Sequence, residues 1–224
     1  MAINNYGDQG IFHACGKGAD IATERVDDLD ALALGAVSGW GGRLHPVVWD
    51  LGAGRCAQSL RFVQAGAIVE AVDLNVSIPP ESDTPYLHPH KSDFRDIDLL
   101  HLPSPNLVFS QRSIHYLSFS DAVRVLTDIS KAAYRHTELY LSASGLYSEL
   151  SSGSRHLAMP LETRFAPLAP DMQQKHGITA NVCLYSESDM TRLLQISGWQ
   201  VKHVFTSGFG NIKVVGARRS GARK

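Results

Sequence analysis

Two aspartates and two glycines in one stretch of the chain carry the clearest chemistry. Asp50 closes the apolar run Pro46-Val-Val-Trp-Asp50, and Gly52 and Gly54 follow before a helical stretch from about Cys56 to Gln64. Residues without a Cβ let the backbone turn tightly and approach a ligand, while the next helix presents N–H groups that no intrahelical carbonyl takes. Asp73 closes a second apolar run, Ile68-Val-Glu-Ala-Val-Asp73, 19 residues after Gly54 (73 − 54). At about that interval, on the neighbouring strand tip, a carboxylate accepts hydrogen bonds from the two hydroxyls of a ribose. Gly-x-Gly alone is common. A strand-final acid, a glycine bend, a helix and a second strand-final acid in register are more specific, and together they read as a nucleoside site.

The elements that must hold these residues follow from periodicity. Ala19 to Val37 has helical apolar spacing and ends in Ser-Gly-Trp-Gly-Gly, which predicts a leading helix. After the first two strands, Asn75 to Pro85 is a proline-rich loop, Tyr86 to His90 a weak third strand and Leu107 to Phe109 a fourth. Ser118 with Asp121 caps a helix through about Ala133, and Glu138 to Ser142 is the fifth strand. Residues 143–183, rich in Ser, Gly, Pro and His, break the rhythm. So long a connection in a compact domain is usually functional or disordered, and we expect a lid. Ser186 with Asp189 caps a helix to about Ser197, and Trp199 to Phe205 with Asn211 to Ala217 reads as a hairpin. Alternating strands and helices predict a doubly wound α/β fold: a mostly parallel seven-stranded sheet, an antiparallel C-terminal hairpin strand and helices on both faces. We expect one domain over 1–217, with an N-terminal helical cap at 1–44 and a frayed basic tail at 218–224.

Bulk properties narrow the partners. With 224 residues, 44% hydrophobic and 19% charged, the chain can fill one core. Lysine plus arginine number 21 against 22 acids, so the net charge of −1 gives no general attraction to nucleic acid or a membrane surface. Cys15, Cys56 and Cys183 lie far apart without a CxxC pair, which predicts neither a disulfide framework nor a zinc site. No basic leader precedes an apolar core at the start, and no apolar run approaches spanning length, so the expectation is cytoplasmic. Ten histidines are scattered, and the pair His88 and His90 lacks a third ligand, so no metal is expected.

The quoted segments resemble a known family. Val47-Val-Trp-Asp-Leu-Gly-Ala-Gly-Arg-Cys-Ala-Gln-Ser-Leu-Arg-Phe62 followed by Ile68-Val-Glu-Ala-Val-Asp-Leu-Asn75 looks like motifs I and II of class I S-adenosylmethionine-dependent methyltransferases. Lys91-Ser-Asp93-Phe94 resembles the adenine-site acid and its apolar follower, Pro105 to Leu117 the motif IV strand and loop, and Leu184 to Val201 the late helix and sixth strand. The likeness spans roughly 45–142 and 184–217. Carried over, it implies that Gly52, Ala53 and Gly54 back the methionine and ribose of S-adenosylmethionine. It further implies that Asp73 with Leu74 holds the ribose diol, Asp93 and Phe94 flank adenine, Asp50 lies near the aminoacyl end and the Ser110-Gln111 backbone near the sulfonium. Where the family often has a third glycine, this chain has Cys56.

Methyl transfer needs alignment, exclusion of water and sometimes removal of a proton. His115 and Tyr116, after the fourth strand, are the candidates for orienting or deprotonating an acceptor. Tyr6 and the insertion's Tyr147, Arg155, His156 and Arg164 are candidates for closing over it, the arginines for holding an anion. Ser110-Gln-Arg-Ser stands where flipped-base amino methyltransferases resembling this family carry Asn/Asp-Pro-Pro-Tyr, which favours a small-molecule acceptor over RNA or protein. Two other readings compete. Gly52-Ala-Gly54-Arg-Cys-Ala57 also fits a permissive dinucleotide fingerprint, hence an NAD(P)-dependent oxidoreductase, though no Tyr-x-x-x-Lys pair follows. A non-catalytic regulator of the same fold is the other.

Overall fold

A computed structural model describes residues 26–40, 44–79, 84–93, 95–96 and 99–219. Tyr6, Cys15, Phe94 and the tail beyond Arg219 lie outside these. Seven strands form one sheet: β1 (Val47–Leu51), β2 (Ile68–Asp73), β3 (Leu87–Lys91), β4 (Leu107–Gln111), β5 (Glu138–Ala143), β6 (Trp199–Thr206) and β7 (Ile212–Arg218). Their order is β3-β2-β1-β4-β5-β7-β6. The pairs among β1 to β5 are parallel, whereas β7 runs antiparallel between β5 and β6. Helices α1 (Asp28–Gly39), α2 (Ala57–Gln64), α3 (Phe119–Ala132), α4 (Pro170–His176) and α5 (Glu187–Ile196) complete it. The expected doubly wound sheet with its antiparallel hairpin strand is therefore present. Strand order reverses on either side of β1, which makes the carboxyl edge between β1 and β4 the place where such sheets take ligands.

The period of two along each strand sorts side chains onto two cores. Val48 packs with Leu29, Ala33 and Val37 of α1 and Phe62 of α2. Its neighbour Trp49 turns to the opposite layer, with Leu126 and Ile129 of α3 and Leu193 and Leu194 of α5. Both buried indoles are anchored: Trp49 donates to Pro103 O at 2.9 Å and Trp199 to Leu126 O at 3.0 Å.

Two boundaries differ from expectation. Within the expected leading helix a helix starts at Asp28, where the carboxylate of Asp27 accepts from Leu29 N and Asp30 N while Asp30 accepts from Asp27 N; residues 19–25 of the expected span lie outside the described residues. This reciprocal cap starts a helix within an apolar pattern that reads through it; removing such a cap costs about 1 kcal/mol. The 143–183 insertion is also far from structureless. Three single-turn 3-10 helices (Glu149–Ser151, His156–Ala158, Leu161–Thr163) and α4 wrap a small core of Leu146, Leu150, Leu168, Ile178, Val182 and Leu184, against which Tyr116 packs. Among the described residues no helix is long and apolar enough to cross a membrane, and no group of three or more His, Cys, Asp or Glu is set to hold a metal ion.

Candidate active site at the carboxyl edge

The strand period carries three polar side chains toward α1 and α2 at one edge of the sheet. Asp50 shares the face of Val48, Gln111 that of Phe109 and Lys213 that of Val215, all three apolar residues being part of the α1/α2 layer. Asp50 is buried and accepts from Ser59 Oγ at 2.5 Å. Burial, with the nearby carboxylates of Asp30 and Asp73, pushes its pKa up to about 7, against the hydrogen bond from Ser59. Gln111 donates to Asp27 at 2.6 Å. Lys213, 2% exposed, pairs with Asp27 at 2.8 Å and with Asp28. The start of α1 is thus latched over the β1/β4 edge by the last residue of β4 and a buried lysine of β7. Sequence reasoning missed these partners; the signal available was Asp-x-x-Asp at 27 to 30, a capping box.

The glycine bend is more occupied by the protein itself than its sequence implied. Gly52 N and Ala53 N both donate to Val72 O, at 2.8 and 3.1 Å, and Gly54 N donates to Asp73 Oδ2 at 3.0 Å. Gly52 has φ +83°, and a Cβ there would overlap the Ser113 side chain, so this glycine admits a loop of the protein. Cys56, where a third glycine is usual, adopts the left-handed φ of 57° itself, at a cost of about 1–2 kcal/mol. It is fully buried in the α1/α2 layer, and burial raises its thiol to about 12, so it is neither a nucleophile nor a ligand at neutral pH. No side chain caps the start of α2.

Asp73 sits at the tip of β2, half-buried, with Oδ1 accepting from Asn75 N at 2.9 Å and Oδ2 from Gly54 N. Burial raises its pKa although these two bonds favour the charge. Each oxygen retains a lone pair, so the bonds to the bend orient the carboxylate without exhausting it. Leu74 and Ala53 flank it, both half-buried. Asp93 Oδ1 accepts from Arg95 N at 2.8 Å, and its Oδ2 takes the Arg95 guanidinium at 2.8 and 2.5 Å. Ser110 is buried within β4.

His115 and Tyr116 lie on a 3-10 turn, Ile114–Tyr116, with ring centroids 4.3 Å apart. His115 is 2% exposed, its Nδ1 has no hydrogen-bond partner, and its carbonyl accepts from Cys183 N at 2.8 Å. Burial and then the Arg112 charge drop its pKa to about 3, so the ring is neutral at physiological pH and a poor proton acceptor. Two further buried atoms near the edge are unpartnered, Asp30 Oδ1 and Gln58 Nε2. Leaving such a group unpaired costs about 1–3 kcal/mol, so a native chain that keeps them needs a reason.

Two of the insertion's basic residues, Arg164 and His156, are tied into the fold, whereas Arg155 is exposed. Arg164 donates to Met159 O, Leu184 O and Asp189 Oδ2 at 3.1, 2.9 and 2.6 Å, and His156 bonds Ser154 Oγ, Ala166 O and Val182 O. Tyr147, 79% exposed, lines an open groove of about 530 Å³ with Ser186, Glu187, Ser188, Thr206, Gly210 and Ile212. This groove lies on the same edge beyond β5, two strand steps from β4, or about 10 Å.

No family model and no curated protein matches the sequence. Solved structures do match the fold. The Burkholderia thailandensis 1,6-didemethyltoxoflavin-N1-methyltransferase, solved with 1,6-didemethyltoxoflavin and S-adenosylhomocysteine bound, aligns with a TM-score of 0.63 at 16% identity, covering 91% of this chain and 83% of that one. An S-adenosylmethionine-dependent methyltransferase of Mesorhizobium loti aligns with a TM-score of 0.61 at 17% identity, covering 85% and 98%. Human N-acetylserotonin methyltransferase, solved with S-adenosylmethionine, aligns with a TM-score of 0.55 at 15% identity over 86% of this chain, which spans 52% of that one. The chain has the fold of class I S-adenosylmethionine-dependent methyltransferases.

Proposed function

We propose that this chain binds S-adenosylmethionine across the β1/β4 edge and transfers its methyl group to a small-molecule acceptor. The observation that carries this is the pair of strand-tip acids, Asp50 and Asp73, held on either side of a glycine bend at the switch point of the sheet. The residues present fit the cofactor: an oriented carboxylate for a diol, a bend lined by small residues, and buried donors and acceptors that still want partners. When bound, the cofactor supplies a methyl carbon already activated by a sulfonium.

In this reading Asp73 accepts the ribose hydroxyls, with Leu74 beside it, and the Gly52-Ala53-Gly54 bend backs the sugar and the methionyl chain. Asp93, fixed by Arg95, and Phe94 flank the adenine. Asp50 faces the aminoacyl end, and the backbone of Ser110 and Gln111 lies by the sulfonium. His115 orients the acceptor rather than deprotonating it, since a ring with so low a pKa is a weak base but its neutral form still accepts a hydrogen bond. Tyr116, packed against the insertion core, joins that core to the site, which supports a closing role for residues 143–183. The groove beyond β5 is of a size that takes a small molecule. Its hydroxyl-bearing lining favours a polar acceptor; a protein or RNA segment is the alternative.

Titration calorimetry tests the cofactor. S-adenosylmethionine and S-adenosylhomocysteine are expected to bind while NAD and NADP do not, and the reverse order removes the methyltransferase reading in favour of an oxidoreductase. Asp73→Asn is the informative variant: its amide oxygen still accepts from Gly54 N, and of the two local bonds only that from Asn75 N is given up. It is expected to weaken binding by about tenfold or more at nearly unchanged apo melting temperature.

A further inference from the structure

Lys213 sits buried at the carboxyl edge without a part in the proposed reaction. It stands opposite Ser142 of β5, and its ammonium lies 2.8 Å from Asp27 Oδ2 and in contact with Asp28. Asp27 Oδ2 also takes the Gln111 amide at 2.6 Å, so β4, β7 and the cap of α1 meet on one oxygen. Asp27 Oδ1 serves the helix instead, accepting from Leu29 N at 2.8 Å and Asp30 N at 3.2 Å. The carboxylate thus divides its work: one oxygen starts α1 and the other ties it to the sheet. Besides that tie, α1 buries only Leu29, Ala33 and Val37 as apolar anchors, while Val26 and Leu32 stay largely exposed. So short an apolar stripe gives an element of low local stability. An ion pair taken out of water adds little net stability to it, but fixes one arrangement.

We propose that Lys213 is a positioning residue that latches the start of α1 over the β1/β4 edge, and that release of this latch gates the passage of the cofactor into and out of the site. This rests on the cofactor reading above, which sets the backbone of Gln111 by the sulfonium. The first turn of α1 is bonded to that same residue, so a ligand reaching the β4 tip has to displace it. When the turn swings away, the contacts of Asp27 and Asp28 with Lys213 and of Asp27 with Gln111 break, whereas the bonds from Leu29 N and Asp30 N travel with the helix. An ammonium left in that seat without either acid is a buried unpaired charge, which keeps the open form costly and short-lived. Reclosing then shuts water out of the edge, as methyl transfer requires. The tie is made by the protein's own groups, so its loss speeds entry and exit alike.

The experiment measures association and dissociation rates of S-adenosylhomocysteine on the immobilised full chain by surface plasmon resonance. Lys213→Met keeps the bulk of the side chain and sets a sulfur near the Phe205 ring, whose centroid is 6.0 Å from the ammonium it replaces. The two acids it releases are partly exposed and can hydrate. Both rates are expected to rise about tenfold or more, while the dissociation constant changes by less than about threefold. Circular dichroism and melting temperature should stay those of the native protein, a combination that a merely structural lysine does not produce. Asp28→Asn removes one acid and leaves the Asp27 cap intact; it is expected to raise both rates by a smaller factor, and it decides alone if Lys213→Met does not fold. Unchanged rates overturn the latch. Faster exit alone, with an equal loss of affinity, overturns it too, because Lys213 then props the bound state and gates nothing. Either result leaves the cofactor reading standing. If the native protein binds neither S-adenosylhomocysteine nor S-adenosylmethionine, the cofactor reading falls and the gate with it.

Discussion

The β1/β4 edge and the 143–183 insertion both bury ionisable side chains, but they treat them in opposite ways. In the insertion, Arg164 and His156 each reach three partners, mostly backbone carbonyls that no strand ladder could serve. At the edge, Asp30, Gln58 and His115 are as deeply buried and each leaves an atom unpaired. A segment built of turns has many orphan carbonyls, and a buried cation that collects them is the means by which it folds. Unpaired polar atoms beside strand tips do nothing for the fold and lower its stability. On the reading proposed above, the contrast sets Arg164 and His156, which serve structure, against Asp30, Gln58 and His115, which await a ligand; His176 Nε2 in the insertion and Tyr185 OH beside it lack a hydrogen-bond partner as well and follow neither pattern.

Substitutions on the two sides should therefore part company in stability. Arg164→Ala removes three bonds and leaves Asp189, largely buried and also the N-terminal cap partner of α5, without its counter-charge. It is expected to cost about 3–5 kcal/mol in urea unfolding. Asp30→Asn, which swaps a buried charge for a neutral amide, should leave stability unchanged or raised above neutral pH. Comparable losses in both would erase the distinction between the regions.

The bend itself is the next largest test. If Gly52 were kept only for a ligand, Gly52→Ala would weaken binding and spare the apo fold. The structure instead places Ser113 where the Cβ would go, with φ at +83°. Gly52→Ala is accordingly expected to cost about 2–4 kcal/mol, part backbone strain and part overlap. Adding Ser113→Gly should return the overlap portion, seen as a favourable coupling in a double-mutant cycle, and leave the strain.

How far the sequence reaches follows from the same physics. The central strands were legible because they alternate between two apolar layers and the first two carry an acid at their carboxyl ends, while β3, largely exposed at the sheet edge, gave only a weak signal; the switch point then follows from connectivity. Helix α5 was legible because Ser186 and Asp189 form a reciprocal box. The cap at Asp27 and Asp30 was not, because Ile21, Val26 and Leu29 continue a helical apolar pattern across it. Lys213 was hidden for a different reason: a charged residue in an edge hairpin ordinarily faces water, and only the return of α1 to that edge buries it. In the insertion, composition signalled a break in the βα rhythm but could not tell a packed knot of turns from a mobile flap, since both are rich in Ser, Gly and Pro. Arg164 was weighed as an anion anchor, and it serves instead carbonyls and an acid distant in sequence.

The smallest effect sharpens the comparison by adding a buried acid that is fully served. Glu70 on β2 is 3% exposed, and its two oxygens meet His88 at 2.8 Å and His90 at 2.6 Å on the neighbouring edge strand β3. The bond to Glu70 raises the pKa of His88, against some desolvation. A histidine whose folded pKa lies above its unfolded value binds more protons in the folded state between the two. Its contribution is therefore complete below about pH 6.5 and is lost as the pH rises through the folded value. Because His88 is 46% exposed, solvent screening limits that contribution to about 0.5 kcal/mol. The edge acids act in a lower window, since Asp30 and Asp50 are raised from 3.8 to about 6 and about 7 and so withdraw stability as pH climbs from about 4 to 7. Urea unfolding across pH 4 to 9 should show the two declines in sequence. Asp30→Asn is expected to flatten the acid-side slope and His88→Asn the shallow step above about pH 6.5, each leaving the other in place. A single slope abolished by either variant alone would mean that the served and unserved acids titrate as one network rather than as two independent regions.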